Sequence, residues 1–212
     1  MKILIATGNQ GKLKELIEGF SLFGAAENIE FLSLNDFSRD FGEPEESGEN
    51  YAENALIKAK YFAEKTGLPT IGEDSGLELE AFPDKFGLKT KREIPAKNDH
   101  EWLEKFLEML ANQDNRRATF FSAIAFFDPE KSREKIVVGK TSGVITQSPE
   151  TELEKGIPVS AVFKADGESK VFSVLSKEEK NKISHRGKAV KMMSEFLVKN
   201  FVYPERIRKA EN

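Results

Sequence analysis

Lys2-Ile3-Leu4-Ile5-Ala6-Thr7-Gly8-Asn9-Gln10-Gly11-Lys12 opens the chain with an apolar run, a glycine-bracketed turn and the start of a helical pattern. Ile3 to Ala6 is apolar without alternation, so Lys2 to Thr7 reads as a strand covered on both faces. Leu13, Leu16, Ile17 and Phe20 then recur at helical spacing, which predicts a helix from Lys12 to about Phe23. Strand, glycine turn and helix in that order aim the first amides of a helix at whatever lies beyond the strand end. The helix dipole favours an anion there. The pattern is not a full P-loop, because Leu13 rather than Ser or Thr follows Lys12 and the glycine spacing is short.

Working outward, Ile29 to Leu34 reads as a second strand and Asn35 to Gly48 as an acidic loop. A helix is predicted from Asn50 to Thr66, with Ala52, Ala55, Leu56, Ala59, Phe62 and Ala63 as its apolar stripe and Gly67 and Pro69 ending it. Thr70 to Gly72 and Leu77 to Ala81 read as two short strands. Phe82 to Asp99 is irregular and lysine-rich, with Lys85, Lys89, Lys91, Arg92 and Lys97. His100 to Ala111 has helical spacing. Ala118 to Phe127 and Lys135 to Val144 read as long strands, and Ser160 to Lys164 as a short one. Ser176-Lys177-Glu178-Glu179 has the spacing of a capping box, and a last helix is predicted from Ser184 to about Phe201. Helices and strands alternate early and strands cluster late, so the expected class is mixed α/β. Residues 1–203 are expected to form one domain, with 204–212 as a charged tail.

The chain has 212 residues, enough to bury roughly 70% of its unfolded surface without staples. It has no cysteine, which fits a reducing compartment and excludes thiolate chemistry. A net charge of −4 argues against duplex DNA as a partner. No apolar run approaches the ~18 residues of a membrane span, so the expected location is the cytoplasm, with no membrane and no nucleic-acid partner.

Two further stretches carry chemistry. In Glu73-Asp74-Ser75-Gly76-Leu77, two adjacent acids point to opposite sides of an extended chain. Either one of them faces a cleft, or the turn at Ser75-Gly76 redirects both, or they are a solvated strand end. A carboxylate at a strand end can hold Mg2+ or orient a water for attack on phosphorus. In Ser184-His185-Arg186-Gly187-Lys188, Ser184 is a helix cap. The cations behind it sit where the helix dipole repels them, so Arg186 requires an anion, either a ligand or one of the chain's acids. Asn54 and Lys58 share a helix face opposite the apolar stripe, which by spacing alone is solvated. Phe120, Phe121, Phe126 and Phe127 read as core rather than a base-stacking platform.

Together these stretches resemble the inosine triphosphate pyrophosphatase family. Four segments carry the resemblance in order: Ala6 to Lys12; Pro44-Glu45-Glu46-Ser47-Gly48 with Glu53-Asn54-Ala55 and Lys58-Ala59; Glu73 to Leu77; and Glu178-Glu179-Lys180-Asn181 running into Ser184 to Ala189. The resemblance implies a long bent mixed sheet, helices in two lobes and a central nucleotide cleft. It implies cleavage of a nucleoside triphosphate to monophosphate and pyrophosphate with Mg2+, by a homodimer. Carried over by position, Thr7, Gly8, Asn9, Gln10, Gly11, Lys12 and Lys58 hold phosphates, with Ser75 beside them. Glu45, or its neighbour Glu46, and Asp74 serve the metal, and Asp74 also orients or deprotonates the attacking water. Lys180, His185 and Arg186 contact base and phosphate.

The chain departs from the family pattern where Gly-Phe-Gly-Tyr-Asp-Pro is usual. It reads Gly156-Ile157-Pro158-Val159-Ser160-Ala161, without the aromatic rings and the acid. The glycine pair and tyrosine expected around Pro83 to Arg92 are also lost. The phosphate-binding segments are thus retained while the base pocket is rebuilt. An altered base preference is expected, the alternative being a catalytically weak nucleotide-binding relative.

Overall fold

Ile3, Leu4 and Ile5 are fully buried, as an unalternating strand must be when both its faces are covered. They belong to β1 (Lys2–Ala6), seen in a computed structural model that describes residues 1–83, 85–88 and 94–202. β1 lies between β2 (Glu30–Ser33) and β3 (Thr70–Leu79) and runs parallel to both. β3 pairs antiparallel along its whole length with β4 (Arg117–Asp128), β4 with β5 (Arg133–Ile145), and β5 with β6 (Phe163–Ala165). The result is a six-stranded mixed sheet in the order β2-β1-β3-β4-β5-β6.

Helices cover both faces. On one, α1 (Gln10–Leu22) and α5 (His185–Leu197) bury Leu16, Phe20, Val190 and Met193 against Ile3, Ile5, Ile71 and Phe126. On the other, α2 (Tyr51–Thr66) lays Ala55 and Ala59 on Ala123 and Ala125 of β4, while Phe62 packs on Leu4 and Ala6. A separate apolar cluster forms at the far end of the long strands. There α3 (Asp99–Met109) contributes Trp102, Leu103 and Phe106 to a group holding Leu77, Leu79, Phe163 and Phe172. The short α4 (Lys177–Ile183) leads into α5. Two small positions let the helices seat closely. A Cβ at Gly72 would strike the Ala55 carbonyl oxygen of α2, and one at Gly139 would strike the His185 carbonyl oxygen of α5.

The predicted helix starts are capped as expected. Asn9, Asn50, Asn98 and Ser184 each accept from the third backbone N–H beyond them, and Ser176 forms the capping box with Glu179. Two strand expectations need correction. The separate strands at Thr70 to Gly72 and Leu77 to Ala81 are one ten-residue strand, so Glu73 and Asp74 lie within it and not at its end. Polar residues interrupt the apolar pattern there, but each has a buried partner and the ladder with β4 continues through them. The strand expected at Ser160 to Lys164 is a 3-10 turn, Pro158–Ala161, followed by β6; Pro158 lacks the N–H a ladder needs. Lys89, Lys91, Arg92 and the tail 204–212 lie outside the described residues. Among those described, no helix is long and apolar enough to cross a membrane.

Gly72→Ala should lower stability by about 1–3 kcal/mol, because the new methyl must push α2 off β3. Urea titration would read this as a fall in midpoint with an unchanged slope. An unchanged midpoint would contradict the close seating of α2.

Candidate active site

The pairing of β1 with β3 ends at Ala6↔Gly72. Beyond it β1 turns away through Thr7 to Asn9 into α1, while β3 continues with Glu73 and Asp74. The acids therefore sit beside the glycine turn, and their side chains take opposite faces of the sheet as an extended chain requires. Glu73 faces α1 and α5. Its Oε2 lies 3.0 Å from Lys12 Nζ, and its Oε1 accepts from Arg186 Nη2 at 3.0 Å, Arg186 Nε at 3.2 Å and Ser122 Oγ at 3.0 Å. Asp74 faces α2, where Lys58 Nζ donates to Oδ1 at 2.9 Å and Asn54 Nδ2 lies 3.4 Å from Oδ2. Of the alternatives left open by the sequence, the arrangement is nearest the first: Asp74 lines the opening, while Glu73, which borders the same cleft, anchors cations in the interior.

Electrostatics separate their roles. Burial would push Glu73 up, but Lys12 and Arg186 overcome it and hold the carboxyl well below the usual range. Glu73 is thus a fixed negative charge. Asp74 moves the other way: burial raises its pKa above the usual value, and Lys58 and Lys12 only partly oppose it. That direction suits a group that takes up a proton. His185, buried and next to Arg186, is shifted well below its ordinary pKa and is neutral at pH 7. Its ring stacks on Phe120 with centroids 4.6 Å apart.

Arg186 finds its anion within the chain. It pairs with Glu73 and, through Nη1, with Glu15 of α1, and Nη2 donates to Ser75 Oγ at 3.0 Å. Glu15 also bonds Lys180 Nζ at 2.6 Å. Burial would raise Glu15, yet Arg186 and Lys180 bring it down to about 2. Lys58 likewise joins two acids, Asp74 and Glu46, the latter at 2.7 Å. The loop carrying Glu46 is tied to α2 by Gly48 N–H donating to Asn54 Oδ1 at 2.8 Å. Glu45, the acid first assigned to the metal by position, is exposed to solvent, and its neighbour Glu46 is the one that meets Lys58.

These residues border two adjoining spaces. A cleft of about 1140 Å³ is walled by Thr7, Gly8, Gln10, Glu46, Lys58, Glu73 and Asp74. A cavity of about 600 Å³ is walled by Glu15, Trp102, Phe120, Ile157, Val159, Ser160, Lys180, His185 and Arg186. Asn9, Lys12, Ser75, Asp99 and Gly156 border both. Gly11 serves packing: it abuts the Lys155 carbonyl and Ile157. Asn9 uses both ends of its amide, capping α1 with Oδ1 and donating from Nδ2 to the Gly156 carbonyl at 3.0 Å. Asp99 accepts from the Gly156 N–H at 2.6 Å, so the two peptide groups flanking the Gly156 Cα are each held by a side chain bordering both spaces. Lys58 therefore borders the cleft and Asn54 is buried beside Asp74, against the reading of a solvated face from spacing alone. Phe120 lines the cavity instead of serving only as core.

Glu15 and Asp99 were not singled out from the sequence. The unfavourable place of Arg186 at a helix start announces that some anion is needed, but nothing in the spacing points to Glu15 among 36 acidic residues. Asp99 reads as an ordinary first-turn acid.

Comparison with known proteins agrees with this geometry. The sequence profile of the Ham1 family matches residues 3–196. The dITP/XTP pyrophosphatase of Haemophilus influenzae is 38% identical over 196 residues, covering 91% of this chain and 96% of that protein. The dITP/XTP pyrophosphatase of Dictyoglomus thermophilum is 36% identical over 197 residues, covering 92% and 93%. The structure of a HAM1 protein from Coxiella burnetii superposes with a TM-score of 0.77 at 32% identity, covering 94% of this chain and 99% of that one.

Because Glu15 is held at about 2 when folded and titrates near 4.5 when unfolded, its stabilising contribution is complete above pH 4.5. It is lost as pH falls toward 2, at about 1.4 kcal/mol per unit. Glu15→Gln should cost about 3 kcal/mol at pH 7 by leaving Arg186 and Lys180 short of an anion. Urea unfolding should show that gap narrowing below pH 4.5, and a pH-independent gap would contradict the assignment.

Proposed function

Since the chain belongs to the Ham1 family, which is the inosine triphosphate pyrophosphatase family, we propose that it is a nucleoside triphosphate pyrophosphohydrolase. It would release a nucleoside monophosphate and pyrophosphate from non-standard purine nucleotides. One observation carries the reading: on neighbouring residues of β3, Glu73 is locked by two cations while Asp74, its pKa raised, lines an open cleft beside Lys58. The dITP/XTP pyrophosphatase relatives support it.

In this reading the polyphosphate lies in the larger cleft, against Thr7, Gly8, Asn9, Gln10 and the amides that open α1, with Lys12 and Lys58 balancing its charge. Both lysines already contact carboxylate oxygens, so their ammonium groups are held where phosphate oxygens of similar chemistry can join them. Asp74 accepts a proton from water as its oxygen bonds to the α-phosphorus and the anhydride bond to pyrophosphate breaks. The base enters the smaller cavity, where Lys180, the neutral His185, Arg186 and Ser75 meet its edge and the adjoining phosphate.

Mg2+ is the proposed cofactor. Asp74 and Glu46 converge on one positive charge, the Lys58 ammonium, which marks a point where two hard oxygen donors meet. Among the described residues no group of three or more His, Cys, Asp or Glu forms a cage. That fits an ion held by one or two carboxylates plus substrate phosphates. When bound, Mg2+ supplies charge neutralisation and polarises phosphoryl oxygens. Glu46, rather than the solvent-facing Glu45, would join Asp74 in holding it. We further propose a cytoplasmic homodimer, in keeping with the family resemblance and the cysteine-free chain.

Pyrophosphate release should be measured with Mg2+ over ITP, XTP, dITP and the standard nucleotides. Turnover of at least one is expected, with Asp74→Asn lowering kcat by about 10²–10⁴-fold. No turnover on any of them, or full activity in the variant, would overturn the reading.

A further inference from the structure

The smaller cavity is walled on one side by the aliphatic Ile157 and Val159, which offer a base contact but no aromatic face. The rings that border it differ in how fully the protein already uses them. Phe120 contacts Phe163, Phe172 and His185 at 4.8, 6.4 and 4.6 Å between centroids. Phe172 is 1% exposed and contacts Phe120, Phe163 and His185. Trp102 is different. Among the described residues its one ring contact is Phe106, stacked at 5.1 Å and 17°. That contact backs one face of the indole, and the ring, 9% exposed, borders the cavity. The indole N–H is buried with no acceptor among the described residues.

Resting on the hydrolase reading, we propose that Trp102 is the stacking platform for the nucleobase and a determinant of base preference. Its two fused rings match a bicyclic base, and Phe106 behind it holds the plane in place. A cavity of about 600 Å³ is of the size that encloses a nucleoside-sized ligand. The platform comes from α3, whose Asp99 is hydrogen-bonded to Gly156 of the neighbouring loop. Base affinity and phosphate grip thus depend on different parts of the chain: the base on α3, the phosphates on the β1–α1 turn and α2.

Trp102 is the only tryptophan, so the tryptophan emission of the wild-type protein reports on this ring alone. Titration with IMP should change that emission saturably, CMP should do so more weakly, and inorganic pyrophosphate should leave it unchanged. Trp102→Leu should raise KM for ITP by roughly 5- to 150-fold while kcat and inhibition by pyrophosphate stay near wild type. Trp102→Phe should recover most of the loss, with circular dichroism establishing that both variants fold. An enzyme that turns over ITP yet shows no emission change with IMP, or whose Trp102→Leu variant keeps its KM, would overturn the platform and leave the hydrolase reading standing. Failure to turn over any nucleoside triphosphate would overturn both.

Discussion

Everything in this site depends on where one strand stops. β1 pairs with β3 only as far as Ala6↔Gly72, although β3 runs on to Leu79. Past that point β3 keeps its neighbour β4 on one side and has the β1–α1 turn on the other. Two carboxylates placed at the first positions without a β1 partner lie beside the β1–α1 turn, and no turn or distortion is needed to aim them. Strand alternation then sends Glu73 into the interior and Asp74 to the opening. A shift of register by one residue would exchange the two and leave the interior cations facing the wrong acid.

Charge is arranged around that point in alternating contacts. Lys58 lies between Glu46 and Asp74, Glu73 between Lys12 and Arg186, and Glu15 between Arg186 and Lys180. Buried charges of this kind are tolerable only as a set, because removing one member strands its neighbours in a medium that solvates them poorly. Their value lies in position: long cationic side chains that would otherwise sample many rotamers are held along the walls of two adjoining spaces. A polyanion entering there meets donors whose ordering has already been paid for.

Much of this was legible in the sequence. The apolar run Ile3 to Ala6, the capped starts at Asn50 and Ser184 and the capping box at Ser176 each follow from local chemistry, and the structure has them where spacing puts them. The glycine turn, Lys58, Asp74 and Arg186 converge as the collinear segments imply. What local pattern cannot carry is partnership at a distance. Glu15 and Asp99 look like any other surface acids until α5 and the Gly156 loop are folded beside them. The continuity of β3 was hidden because Glu73, Asp74 and Ser75 are polar, and their partners lie on α1, α2 and α5. Pro158 explains the late start of β6, a local signal that the apolar residues around it obscured. Trp102 was not singled out in the sequence, and its position at a cavity wall is what distinguishes it.

Gly156, whose C=O accepts from Asn9 and whose N–H donates to Asp99, makes contacts separated by 147 and 57 residues, and Arg186 reaches back 171 residues to Glu15. Contacts of such separation are the slowest to form, since chain entropy must be surrendered before they are made. During synthesis, a growing chain that ends before α5 holds the first turn and the paired acids but lacks Arg186, their interior counterion. The set of ion pairs around Glu73 and Glu15 is therefore complete only once α5 has docked, the last α-helix of the described residues to be made.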